Sequence, residues 1–132
     1  MPREQPEYRL QCLIADILRL QGHEELYWTA IPNGEHRSPR TGARLKRSGV
    51  RRGAPDILMI WHGKVIGLEL KTETGRQSPE QRDTERDWTA AGGLYFVAKG
   101  YRAAIEFLDT VGCIRPIREG SRFAPRQTAE AA

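Results

Sequence analysis

Apolar residues recur along this chain at two different periods, and the switches between them lay out its elements. From Glu7 to Leu20 they fall at Leu10, Leu13, Ile14, Ile17 and Leu18. That is the i, i+3, i+4, i+7, i+8 spacing of one helix face, with Pro6 near the first turn and Gly22 as the stop. Leu26 to Ile31 reads as a short strand ended by Pro32-Asn33-Gly34. From Val65 to Lys71 the alternation is strict. Ile66, Leu68 and Leu70 go to one side and Gly67, Glu69 and Lys71 to the other, because successive strand side chains point to opposite faces. With Asp56 to Trp61 before it and His62-Gly63 between, this reads as a hairpin, on a two-residue turn or on a three-residue loop that would shift the pairing by one and set Asp56 opposite Leu70. Ser78-Pro79-Glu80-Gln81 has the residue types of a capping box with proline at the first helical position. It opens a helix running to Ala91 and stopped by Gly92-Gly93. Leu94 to Ala98 is a continuous apolar run, which predicts a strand buried on both faces, and Tyr101 to Val111 is a last helix with Ile105, Phe107 and Leu108 turned inward. The pattern is that of an α/β fold, one sheet flanked by helices.

Between Asn33 and Gly53 neither period holds. Gly, Ser and Pro are scattered through this stretch, and Arg37, Arg40, Arg44, Lys46, Arg47, Arg51 and Arg52 face a single acid, Glu35. Seven cations against one acid give it a charge of +6, in a chain whose net charge is +4. A structureless loop of that length is uncommon in a compact domain unless functional or disordered. Residues 33–53 therefore read as a basic, flexible loop, either solvated or in contact with nucleic acid phosphates, where attraction would weaken steeply with salt. At 132 residues the chain is expected to be one domain, over residues 1–116. Residues 117–132, rich in Arg, Gly and Ala without periodicity, read as a disordered tail. No apolar stretch approaches the roughly 18 residues of a membrane span, and Met-Pro-Arg-Glu-Gln-Pro at the start has no apolar core segment. A cytoplasmic location away from membranes is expected. Cys12 and Cys113 are far apart and lack CxxC spacing, so both read as free thiols, Cys12 on the buried side of its helix.

The hairpin carries the candidate chemistry. If His62-Gly63 is the turn, Trp61 pairs with Lys64, and counting outward brings Asp56 opposite Glu69, with Cβ atoms roughly 5 Å apart. Like charges across a ladder destabilise it, which a divalent cation between them would offset. The other reading is an ordinary polar outer face, with Asp56 capping the chain after Pro55. Two further residues carry the same ambiguity. Glu7, on the core-facing side of its helix start, either favours the positive end of the helix dipole or reaches a site at the sheet edge. Gln81 either caps Ser78 or looks toward the acidic face.

These residues together resemble a known family. Glu7 in the first helix, Pro32-Asn33-Gly34, Gly53-Ala54-Pro55-Asp56, Glu69-Leu70-Lys71, Ser78-Pro79-Glu80-Gln81 and Gly93 before the last strand resemble the VRR-NUC nucleases of the PD-(D/E)xK superfamily, over residues 7–108. The resemblance implies a restriction-endonuclease-like αβββαβ core with a mixed sheet flanked by helices. It also implies a stand-alone domain, like a Holliday-junction resolvase, and often a homodimer. Its activity would be a metal-dependent DNA endonuclease using Mg²⁺, with Mn²⁺ able to substitute, acting on DNA and on no small-molecule substrate. Branched, flap or four-way-junction DNA would be cut in phage or bacterial replication, recombination or repair. By motif, Asp56, Glu69, Lys71 and Gln81 are the catalytic set. Asp56 and Glu69 by side chain, Leu70 by its carbonyl and Glu7 directly or through water would hold metal. Lys71 would position or activate the attacking water. Arg37, Arg40, Arg44, Lys46, Arg47, Arg51 and Arg52 remain the DNA-contact candidates. The alternative function is a non-catalytic nucleic-acid-binding accessory protein using the basic loop.

Overall fold

The hairpin lies at the centre of the structure, a computed structural model that describes residues 6–32 and 38–125. In chain order the elements are α1 (Pro6–Gln21), β1 (Tyr27–Ala30), α2 (Pro39–Arg47), β2 (Ile57–Trp61), β3 (Lys64–Lys71), α3 (Pro79–Ala90), β4 (Leu94–Lys99) and α4 (Tyr101–Val111). The strands form one sheet in the order β1-β2-β3-β4. β1, β2 and β3 run antiparallel in turn, and β4 lies parallel to β3. A parallel neighbour needs a long crossover, which α3 supplies. His62 and Gly63 take φ of 46° and 80°, the left-handed pair of a primed hairpin turn that matches strand twist. Trp61 pairs with Lys64 and Ile57 with Leu68, the register counted from the sequence.

One sheet face carries the core. Ile57, Met59, Ile66, Leu68, Leu70 and Ala98 are buried there against Leu10, Ile14, Ile17 and Leu18 of α1 and Ala104, Ile105 and Leu108 of α4. Fully burying each aliphatic side chain contributes about 1.5–3 kcal/mol, so this face holds the two helices in place. The opposite face carries Gly67, Glu69 and Lys71, and α3 packs over it. Glycine at 67 is what lets α3 approach. A Cβ there would stand 3.0 Å from the Tyr95 ring, 3.1 Å from Pro55 and 3.2 Å from the Trp88 ring. Trp88 in turn donates its indole N–H to the Val65 carbonyl at 3.3 Å.

Several sequence expectations are corrected. Residues 39–47, placed in a flexible loop, form the helix α2, capped by Ser38, whose Oγ accepts from the Thr41 N–H at 3.2 Å. No residue of α2 is buried, so it has no apolar stripe for periodicity to find. Its cations Arg44, Lys46 and Arg47 lie in the last turn, where the helix dipole favours positive charge. The tail expected from residue 117 instead packs as far as Phe123, which is buried in the core cluster while its carbonyl accepts from the Tyr101 hydroxyl at 2.8 Å. Residues 126–132 lie outside the described residues, as do Asn33, Gly34 and Arg37. β4 is an edge strand with only Ala98 buried. α4 covers its core side, where Phe107 stacks on Phe96 at 4.3 Å, but its other face is only half covered. Leu13 is 45% exposed and Cys12 is also exposed, whereas Cys113 is buried. The apolar stripe of α1 is narrower than its composition implies, and burial pushes the Cys113 thiol up to about 11. No helix among the described residues is long and apolar enough to cross a membrane.

Candidate active site

Asp56 sits immediately before β2, and two contacts hold it. Its carbonyl accepts from the Ile31 N–H at 2.8 Å, and its Oδ2 accepts from the Leu70 N–H at 2.6 Å. Asp56 thus continues the hairpin register toward Glu69 with its carboxylate taking the Leu70 N–H. The approach to Asp56 depends on Gly53, which has φ of 85° and passes so close to the backbone at the start of α3 that a Cβ would fall 2.5 Å from the Glu80 carbonyl. Burial pushes the Asp56 carboxyl above its ordinary value, opposed by the Leu70 hydrogen bond and reinforced by the negative charge of Glu69.

Glu69 is completely buried on the face under α3. Its Oε1 accepts from the Tyr95 hydroxyl at 2.6 Å and from the Gln77 side-chain amide at 3.4 Å. The first distance is that of a charge-assisted O–H···O⁻ bond. Burial and the bond to Glu69 hold the Tyr95 phenol far above its ordinary pKa, so Tyr95 stays a proton-bearing donor throughout the physiological range. Gln77 also donates to Glu85 at 3.1 Å. The second oxygen, Glu69 Oε2, is buried without a hydrogen-bond partner among the described residues. Leaving a buried carboxylate oxygen unpaired costs on the order of 1–3 kcal/mol, and a bound cation would offset that cost.

Lys71, two residues along the same face, is only 8% exposed. Its Nζ lies 3.9 Å from Oε1 of Glu7, in the first turn of α1. The two readings of Glu7, dipole partner and site residue, therefore describe one position. Asp56, Glu69, Lys71 and Glu7 lie near one another, the charges of the other three all acting on the Asp56 carboxyl. Gln81 is not hydrogen-bonded to any of them. Its Oε1 accepts from the Ser78 N–H at 2.8 Å and its own N–H donates to Ser78 Oγ at 3.2 Å, the reciprocal capping box. The amide that reaches Glu69 is Gln77, at the mouth of the helix that Gln81 caps. Tyr95 and Gln77 were not among the sequence candidates. The only signal for Tyr95 lies in the parallel register of β4, which sets Val97 beside Glu69 and Tyr95 beside Gly67, whereas Gln77 precedes the Ser78 cap in a loop that carries no pattern.

The donor set fits a hard cation. Among the described residues no group of three or more His, Cys, Asp or Glu residues could hold a metal ion. Two carboxylates meet here, and among the described residues Glu69 Oε2 has no hydrogen-bond partner while Asp56 takes the Leu70 N–H through Oδ2. Magnesium keeps several waters and takes one or two protein carboxylates.

Arg40, Arg44, Lys46, Arg47 and Arg52 are exposed on and after α2. Arg51 is tied to α3 by a 2.9 Å ion pair with Asp87, which lowers the Asp87 carboxyl below its ordinary value.

No protein-family model matches the chain, and no curated protein does. A solved structure described as a VRR_NUC domain protein superposes with a TM-score of 0.62, at 21% identity, over 83% of this chain and 89% of that one. This likeness, with the four-stranded mixed sheet between helices, establishes that the chain has a restriction-endonuclease-like fold.

Proposed function

We propose that the protein is a metal-dependent nuclease that hydrolyses DNA phosphodiester bonds. The observation that carries this reading is the buried Glu69 carboxylate, whose Oε2 has no partner among the described residues, beside Asp56 and Lys71. The name of the VRR_NUC structure with the same fold points the same way. Asp56 and Glu69 would hold Mg²⁺ or Mn²⁺ by side chain, with the Leu70 carbonyl completing the protein donors and Glu7 at the margin. When bound, such a cation supplies a Lewis acid at the phosphate and makes a nearby water easier to deprotonate. The chain's own part is positional. Lys71 orients the attacking water and offsets charge gathering on the phosphate, as electrostatic stabilisation of an oxyanion requires. Gln81 acts through the α3 cap that places Gln77 against Glu69. With no evident helix for base readout, the substrate is read by backbone and shape, which favours branched or flapped DNA over a specific sequence.

The test is cleavage of labelled duplex, single-strand, flap and four-way-junction DNA in Mg²⁺, Mn²⁺ or EDTA. Metal-dependent cutting of at least one substrate is expected. Absence of cutting on all four, with salt-sensitive binding retained, would instead support the non-catalytic accessory protein. Tyr95→Phe tests the support of Glu69 separately. Removing the hydroxyl strips the buried Oε1 of its shorter hydrogen bond, so unfolding stability should fall by about 1–2 kcal/mol. The Mg²⁺ concentration for half-maximal cleavage should rise about 10–100-fold, the usual scale for losing an outer-shell hydrogen bond to a metal ligand. An unchanged Mg²⁺ dependence would show that Tyr95 serves only packing.

A further inference from the structure

A groove of about 450 Å³ is lined by Arg76, Gln77, Arg82, Val97 and Lys99. The parallel register places this groove beside the site. Lys99 pairs with Lys71 and Val97 with Glu69, each about 4.8 Å away across neighbouring strands and on the same face. Gln77, on the groove wall, is the residue that donates to Glu69. Arg76 comes from the loop after β3 and Arg82 from the first turns of α3. None of the three cations forms an ion pair among the described residues, and the acids of the same segment, Glu73, Glu80, Asp83 and Glu85, do not line the groove, although Glu85 accepts from Gln77 on its wall at 3.1 Å. Three positive charges facing one concavity without an ion pair repel one another and raise the local concentration of an anion. The concavity lies beside a centre read as acting on phosphodiesters.

We propose that Arg76, Arg82 and Lys99 bind backbone phosphates flanking the scissile bond, so that the nucleic acid strand leaves the acidic centre over the β4 edge of the sheet. This site is separate from the basic run on α2. It rests on the nuclease reading for the position of the scissile bond, but not for the binding of the strand. Each phosphate contact to duplex DNA steepens the dependence of log affinity on log salt by about 0.9.

The experiment compares the wild-type chain, R76Q/R82Q/K99Q, and K64Q/R115Q/R118Q, which removes the same charge elsewhere. Each binds labelled duplex in EDTA between about 50 and 200 mM salt, and each is assayed for Mg²⁺-dependent cleavage. The groove variant should show a slope shallower by roughly 2–3 and a raised KM, while the control keeps the wild-type slope and activity. A groove variant with the wild-type slope, or a control that flattens equally, overturns the proposal. If the slope difference holds but the wild type cleaves nothing, the groove stands and the nuclease reading falls. If the wild type does not bind DNA, both fall. Circular dichroism of the groove variant confirms that it is folded, and R82Q/K99Q gives the same comparison should the triple variant unfold.

Discussion

Glu69→Gln and Asp56→Asn should each reduce metal-dependent cleavage by at least about 10³-fold, the scale of losing a preorganised electrostatic stabiliser in an enclosed site. Both replacements keep side-chain size and leave one carbonyl oxygen. At Glu69 that oxygen can still accept from Tyr95 and Gln77, and at Asp56 it can still accept from the Leu70 N–H. The fold should therefore survive in both. What is lost is the charge that would hold a cation at Glu69 Oε2, buried without a partner among the described residues, and at Asp56 Oδ1. A thermal measurement separates this from a general defect. Wild type in Mg²⁺ at ten- to hundredfold above its dissociation constant should gain about 1.4–2.7 kcal/mol, or several degrees in a domain of this size. Neither variant should gain anything. Full Mg²⁺ stabilisation in Glu69→Gln would remove Glu69 from the metal set even if cleavage were lost.

Lys71→Ala should lower turnover by about 10²–10⁴-fold, the range for a positioned proton-transfer group, while DNA binding is retained. The lysine is almost wholly buried, lies on the same strand face as Glu69, and has Glu7 as its only ion-pair partner among the described residues, at 3.9 Å. It is therefore held over the acidic centre and is a poor candidate for a general backbone contact. Because alanine also removes a buried stem, Lys71→Met serves as the second variant. It keeps most of the apolar volume and should be as inactive as alanine but closer to wild type in stability. Undiminished turnover in either would refute the catalytic role. Lost DNA binding in both would make Lys71 a substrate-binding residue.

Much of this site was legible because its parts are local. The alternation in β3 separates Ile66, Leu68 and Leu70 from Glu69 and Lys71 without reference to any other element. The His62-Gly63 turn then sets the register that carries Asp56 toward Glu69. The Ser78 capping box was equally readable, and it showed which of the two sequence roles of Gln81 the structure adopts. Helix α2 carries the same Ser-Pro opening at Ser38-Pro39, yet its lack of an apolar face hid it within the basic run. Cys12 was misplaced for a related reason, since periodicity marks a stripe but not how far the neighbouring elements cover it.

What the sequence by itself determined was the hairpin, the helices α1 and α4 from their apolar sides, α3 from its capping box, and the carboxylate pair with its lysine. Only the tertiary structure decided who supports that pair and where an anion could lie. Tyr95 and Lys99 come beside Glu69 and Lys71 through the parallel pairing of β4 with β3, and Gln77 and Arg82 join them from the start of α3, at the site and on the groove wall. Turn chemistry specifies the register of a hairpin over two residues. A parallel pairing is reached across the whole of α3, and its register is set by how Trp88 and Tyr95 close on Gly67. That contact belongs to packing between distant segments and leaves no periodicity in either of them.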